Sequence, residues 1–293
     1  MAQFLVLGDI HNEYKFFMDA SVYAEQNDLH IISVGDVVDY GKHARSTIAL
    51  ASTLHKTGKA TFIEGNHDNK IYRYLKGNDV TISHGMVSTV EALDSDEIVR
   101  QDFMSFYEAM KTHMVVGNTH ITHGGFTASY WTDDVDQKKF NRARLFGEID
   151  PSKPFVEWNG QKYPHRTYEW TNAIPKGSTV IVGHDRSPFE EVPAFESNIN
   201  EVTTSTNAQG GTVIFTDTGA GKGGFVSGVA RAVDYERRKQ GVELNTPIEV
   251  IWRENGRISV YDPSTAWQAD LMGFGADNSR AFAMLLAKAK KGE

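Results

Sequence analysis

The chain has 293 residues, of which 40% are hydrophobic, with a formal net charge of −8 and no cysteine. That length and apolar content are enough for one sizeable buried core, while the missing thiols exclude disulfides and soft thiolate metal sites. The acidic balance argues against a general nucleic-acid binder, which presents a basic footprint to phosphate charge, but leaves room for an enzyme acting on a terminal phosphate. Taken in order, residues 4–7 read as a short buried strand that runs into Gly8-Asp9-Ile10-His11. A helix is expected over 13–27, a second strand over 31–34 ending at Gly35-Asp36-Val37-Val38-Asp39, and a helix over 44–57. A third strand over 60–63 meets Gly65-Asn66-His67-Asp68.

An amphipathic helix is predicted over 94–112, then a hairpin over 114–121, turned by Gly117-Asn118 and delivering His123. Residues 126–175 read as loop-rich and carry Trp131, Trp158, Tyr163, Tyr168 and Trp170; packing beneath the loop is their commoner fate, and stacking on a base or peptide the alternative. The apolar run 179–182 leads to Gly183-His184. Residues 219–224 space their glycines like a phosphate loop, but lack its Gly-Lys-Ser/Thr ending and precede a strand-like run, so a tight turn between two strands is expected. Past 232 the pattern suggests a hairpin over 247–261, turned at Glu254-Asn255-Gly256, and a short helix over 279–291. The expected organisation is a catalytic domain over 1–232 with a C-terminal extension over 233–293 packed on it. No run approaches the roughly 18 apolar residues of a membrane span and no signal-like start is present, so a cytoplasmic protein is expected.

Five apolar runs therefore end in acid, imidazole or amide side chains. In α/β proteins ligands collect just beyond the carboxyl ends of strands. Each residue taken alone reads as a helix cap or a turn residue; three Gly-Asp or Gly-Asn strand ends within the first seventy residues, with two strand-end histidines, are hard to obtain by capping. Carboxylate, imidazole and amide oxygen suit Mn, Fe or Zn. A carboxylate bridging two such ions roughly 3.5 to 4 Å apart would clamp a phosphoryl group, and hydrolysis would proceed by direct attack of hydroxide.

These motifs, with Tyr40-Gly41 closing the second and His123-Gly124-Gly125 the fourth, resemble the calcineurin-like metallophosphoesterase signature in its phosphoprotein-phosphatase branch. The resemblance spans residues 3–230. Ser83-His84-Gly85, Leu145-Phe146-Gly147-Glu148 and Asp217-Thr218-Gly219 followed by Gly223-Gly224 make it similar to the phosphatase module of bacterial polynucleotide kinase-phosphatases and to bacterial diadenosine tetraphosphatases. The resemblance implies two mixed β-sheets packed as a sandwich and flanked by helices, an α/β metallo-dependent phosphatase fold. It implies that Asp9, His11 and a bridging Asp36 hold one divalent ion, and Asp36, Asn66, His123 and His184 a second, with Mn first and Fe, Zn or Ni as alternatives. His67 matches the general acid, and Asp39 would orient and charge its imidazole.

The chain departs from the family where Tyr40 stands in place of an arginine that would grip substrate phosphate as a bidentate fork. Arg142, Arg144, Lys70 and Arg73 are the available substitutes, with Arg144 the first choice. Asn12, in place of the usual glycine, and Tyr40 are expected to line the substrate. His84 is ranked as lining or structural, and His43, His120 and His165 as ordinary histidines. Phosphomonoester hydrolysis is the first reaction class, on a phosphorylated small molecule, nucleotide or protein. Dinucleoside polyphosphate or cyclic phosphodiester hydrolysis is the alternative within enzymes, and a catalytically weak binding protein that keeps the metal site is the alternative from another class.

Overall fold

A computed structural model describes residues 4–158, 161–186, 188, 201–230, 241, 249–252, 258–262, 265 and 267–270. Strands and helices alternate first: β1 (Phe4–Leu7), α1 (Tyr14–Gln26), β2 (His30–Ser33), α2 (Ala44–Lys56), β3 (Ala60–Phe62) and α3 (Asn66–Leu75). Then come α4 (Val87–Ser95), α5 (Glu97–Glu108), β4 (Met114–Val116), β5 (Thr119–Ile121), α6 (Gln137–Phe146), β6 (Val156–Trp158), β7 (Gln161–Tyr163), β8 (Thr179–Val182), β9 (Thr203–Thr206), β10 (Thr212–Phe215) and β11 (Gly228–Ala230). β12 (Glu249–Trp252), β13 (Ile258–Asp262) and β14 (Trp267–Asp270) follow.

One sheet has the order β11-β1-β2-β3, and a second the order β4-β5-β8-β10-β9. Both β1 and β8 are buried along their whole length, as their unbroken apolar runs require of strands covered on both faces. β2 and β3 run parallel with Ile31 opposite Ala60. In the second sheet β5, β8 and β10 are parallel, and β4 and β9 pair antiparallel at the edges. Its core is Phe126, Phe140, Trp170, Ile174, Val180, Val182, Val213 and Phe215, with Tyr130, Trp131 and Tyr168 packed against them. Thus Trp131, Tyr168 and Trp170 take the packing fate. This is the layered α/β architecture expected from the motifs.

Two local expectations are corrected and a third is met. The helix expected over 94–112 starts at Glu97 and ends at Glu108, because Asp96 adopts extended backbone and its carboxylate accepts from Ile98 N and Val99 N, which caps α5 and separates it from α4. The loop-rich stretch contains α6, capped by Asp136 accepting from Lys139 N at 3.0 Å. Only Phe140, Ala143 and Leu145 of α6 are buried, so its apolar stripe is too sparse to stand out as a helical period. Residues 219–224 do turn tightly, with Lys222 N and Gly224 N both donating to Gly219 O at 2.9 Å. As expected, the turn lies between two strands, β10 of one sheet and β11 of the other.

The chain divides into two compact units. One is Val6–Tyr14 with Ile31–Val229, which contains every strand-end motif; the other is Met1–Leu5, Lys15–His30 and Ala230–Glu293. In the latter, β12, β13 and β14 form an antiparallel sheet, with Glu249 opposite Tyr261 as a hairpin requires. The expected turn at 254–256 and helix over 279–291 lie outside the described residues.

Candidate metal centre

Each motif places its side chain by a backbone turn just past a strand. Among the described residues seven non-glycine positions have positive φ, and six of them are His11, Asn12, Asp36, Asp39, Tyr40 and His184. Such backbone costs roughly 1 to 3 kcal/mol per residue, and its confinement to one place marks a constellation held by its surroundings. Asp36 O accepts from both Ile10 N (3.0 Å) and His11 N (2.9 Å), which ties the first motif to the second. The glycine before Asn66 is dictated by contact, since a Cβ on Gly65 would stand 2.2 Å from both Asp36 N and Asp36 Oδ1. Gly183 is constrained in the same way by Asp9 Oδ1 at 2.1 Å.

The side chains converge on Asp36. Its Oδ2 lies 3.7 Å from His11 Nε2 and 3.4 Å from His123 Nε2, while Oδ1 accepts from His67 N at 2.8 Å. His11, Asp36 and His67 form one group whose candidate ligand atoms all lie within 4.8 Å of one another, and Asp36, His123 and His184 form a second that shares the carboxylate. Asp9 Oδ2 is 3.8 Å from His11 Nε2, and the Asp9 carboxylate accepts from His184 N. Asn66 opens α3 and brings Oδ1 to 2.9 Å from His123 Nε2.

The donor set fits cations. His11 Nδ1 faces Val38 O at 2.9 Å, so Nε2 points into the cluster, where it is buried without a hydrogen-bond partner. His123 has acceptors at both nitrogens, Val34 O at Nδ1 (3.1 Å) and Asn66 Oδ1 and Asp36 Oδ2 at Nε2. A neutral imidazole can donate at only one nitrogen, so the second needs either a proton or a metal ion. The neighbouring Asp36 and Asp9 carboxylates outweigh burial and push the His123 imidazole up to about 9. Asp36 is held well below the usual carboxylate range, the surrounding imidazoles prevailing over desolvation. Asp9 is pushed up, by burial first and then by nearby Asp217. Two divalent ions would neutralise this crowding.

His67 is paired with a buried carboxylate. Its Nδ1 is 2.7 Å from Asp39 Oδ2, and although burial disfavours the imidazolium, Asp36 and the Asp39 hydrogen bond raise the pKa overall. Asp68 is buried and accepts from Gly65 N and Val37 N, bracing the two loops. Its carboxyl is pushed to about 7 by burial and then Asp36.

The structure brings the expected substrate residues to different places. Tyr40 lies over the centre, with its ring 4.9 Å from that of His11 and 5.1 Å from that of His67. Burial, then Asp36 and Asp39, push its phenol up to about 12. Asn12 is fully buried, and its amide donates to Thr89 Oγ1 (3.0 Å) and Gly41 O (3.3 Å). Arg144 donates to Glu64 Oε2 at 2.6 Å, and that glutamate also accepts from Asn69 and Tyr107. His84 is exposed in a short 3-10 turn outside the cluster. Sequence reasoning missed Arg166, whose Nη2 is 2.8 Å from His184 Nε2 and whose Nη1 pairs with Asp185 Oδ2 at 2.9 Å. Its only sequence signal was an arginine in the loop leading to the Gly183-His184 strand.

The layered fold, with carboxylate, imidazole and amide side chains gathered at the strand ends, defines the class: an α/β protein with a site suited to divalent metals. The chain belongs to the calcineurin-like phosphoesterase family, whose model matches residues 2–204, and it is a phosphate-ester hydrolase. It is 28% identical over 212 residues to a bis(5'-nucleosyl)-tetraphosphatase PrpE (asymmetrical) of Geobacillus sp. (strain WCH70), covering 67% of this chain and 82% of that protein. It is 26% identical over 245 residues to the protein of the same name from Bacillus cereus (strain B4264), covering 76% and 88%. Among solved structures it is similar to a protein serine/threonine phosphatase from Saccharomyces cerevisiae (TM-score 0.46, 13% identity, 78% of this chain and 72% of that one). It is also similar to a metallophosphoesterase from Sphaerobacter thermophilus (TM-score 0.40, 14% identity, 92% and 86%). A second family model, photosynthetic complex reorganisation protein PuhC, matches residues 193–290, most of which lie outside the described residues.

Proposed function

We propose that the protein is a dinuclear-metal phosphoesterase that cleaves phosphomonoesters, with Asp9, His11 and Asp36 holding one divalent ion and Asp36, Asn66, His123 and His184 the other. The observation that carries this reading is Asp36, whose carboxylate is shared by two groups of candidate ligands. Bound divalent ions would supply Lewis acidity toward the phosphoryl oxygens and lower the pKa of water. The chain's own part is positioning and proton transfer. His67 gives its proton to the leaving oxygen, and Asp39 keeps the imidazole oriented and charged before that step. Arg166, held by Asp185, adds a fixed positive charge beside His184 that favours an anionic substrate. Manganese as the native ion and a cytoplasmic location belong to the same proposal; the oxygen- and imidazole-rich donor set supports the first, and relatives named for nucleotide substrates support the second.

A second reading, asymmetric cleavage of dinucleoside polyphosphates, is favoured by the names of the relatives and by a cavity of about 540 Å³ lined by Arg166, Tyr168, Glu169, Asn172, Ser205 and Asn207. The test is chelator-stripped protein with Mn, Ni, Mg or no metal on p-nitrophenyl phosphate, its bis ester and diadenosine tetraphosphate, beside Asp36→Asn. Metal-dependent monoester turnover lost in the variant supports the first reading; turnover confined to the tetraphosphate moves the assignment to the second. No turnover with any metal on any of the three removes both.

A further inference from the structure

The family's arginine is replaced by Tyr40, so the mouth of the centre lacks a cation at that position. A loop distant in sequence returns one. Lys222 Nζ lies 4.2 Å from the centroid of the Tyr40 ring, a cation–π contact. That ring in turn stands 4.9 Å from the imidazole of His11, which places the ammonium beside the centre. Among the described residues no carboxylate pairs with this ammonium, whereas Arg144 is bound to Glu64 and Arg166 to Asp185.

The loop is built to hold that position. Gly221 has φ +70, and a Cβ there would stand 2.7 Å from Tyr40 Cβ and 3.0 Å from both His11 Cβ and His11 O. The backbone therefore lies directly on the two residues that flank the centre. Gly219 anchors the turn, accepting from Lys222 N and Gly224 N and donating to Asp217 Oδ1 at 2.9 Å. A short turn fixed at its base, with a long flexible side chain at its tip, places a charge without fixing its final angle.

Resting on the phosphoesterase reading above, we propose that Lys222, cradled on the Tyr40 ring, binds the substrate's phosphate oxygens in place of the arginine missing at position 40. The two residues act as one unit: the ring holds the aliphatic stem and ammonium over the centre, and the ammonium supplies the charge. Lysine presents a point charge with rotatable donors rather than a planar fork, so this grip follows phosphates in more than one orientation.

The test uses the full chain loaded with Mn and compares wild type, Lys222→Met, Lys222→Arg and the double variant Tyr40→Arg/Lys222→Met. Inorganic phosphate is the probe, titrated by calorimetry and as a competitive inhibitor, and metal content is measured alongside. Lys222→Met is expected to weaken phosphate binding and raise KM by about 10- to 100-fold, the scale of one charge-assisted hydrogen bond, with metal content unchanged. Lys222→Arg should retain most of the affinity, and the double variant should regain it by restoring a cation at position 40. Wild-type phosphate affinity in Lys222→Met overturns the assignment, as does loss of metal from that variant without recovery in the double variant. If the wild type shows no turnover, the phosphoesterase reading fails by itself, and the calorimetric titration still decides whether Lys222 binds phosphate.

Discussion

The ligand cluster and the rim above it are made by opposite means. Asp9, His11, Asp36 and His123 are buried, and their loops are pinned by backbone contacts so close that Gly65 and Gly183 admit no Cβ. The rim is made of Tyr40, Lys222 and Arg166, long side chains from three separate loops, and Tyr40 is 39% exposed. The difference is one of dielectric. Several charges brought together away from water must be fixed in place and compensated, whereas groups that meet a soluble anion gain from adjusting to it.

Substitutions that break the cluster should therefore do far more than those that trim the rim. Asp36→Asn is expected to lower turnover by about 10³-fold or more and to strip metal from the protein, since one carboxylate serves both ligand groups; metal analysis beside kinetics checks this. His67→Asn should reduce kcat by roughly 10²- to 10⁴-fold while metal content stays intact, and Asp39→Asn by about 10- to 100-fold, because it acts through the imidazole. At the rim, Arg166→Ala should appear mainly in KM, by about 10-fold, in steady-state kinetics.

Glycines sharpen the comparison without touching a charge. Gly65→Ala drives a methyl into Asp36 and should cost about 3 kcal/mol together with metal affinity. Gly223→Ala, at φ +92 with nothing within 4 Å, should cost only about 1 kcal/mol and leave metal binding alone; thermal unfolding with and without metal separates the two.

The smallest effect lies away from both regions. His113 and His120 sit among Tyr130, Trp131 and Phe140, and burial lowers both imidazoles below their ordinary value near 6.5. The folded protein thus resists a proton that the unfolded chain accepts. Stability should be unaffected by these groups above about pH 6.5 and should fall as pH drops through their depressed folded values. His120→Phe should shallow that slope in denaturant titrations run across pH.

Much of the candidate site was legible in the sequence because a potential ligand at a strand end leaves a local signature: an apolar run, a glycine for close approach, then the donor. His67 and Asp39 were singled out through the family resemblance, and the structure places them 2.7 Å apart. Arg144 illustrates the limit. Proximity in sequence to a matched segment made it the leading cation, and the fold sets its guanidinium on Glu64 while bringing Arg166 to His184. Helix α6 was missed because capping by Asp136 and burial of three side chains sustain it, rather than a continuous apolar stripe.

By itself the sequence determined the strand-end donors, the alternation of strands and helices, and a tyrosine at position 40 beside the second motif, all of which depend on residues within a few positions of one another. Only the tertiary structure decided that β10 is followed by a crossing to the other sheet, that Lys222 lies on Tyr40, and that Arg166 meets His184 and Asp185. Those meetings join residues far apart in the chain. Their geometry comes from how the sheets and loops pack, a property of the whole core that no local pattern encodes.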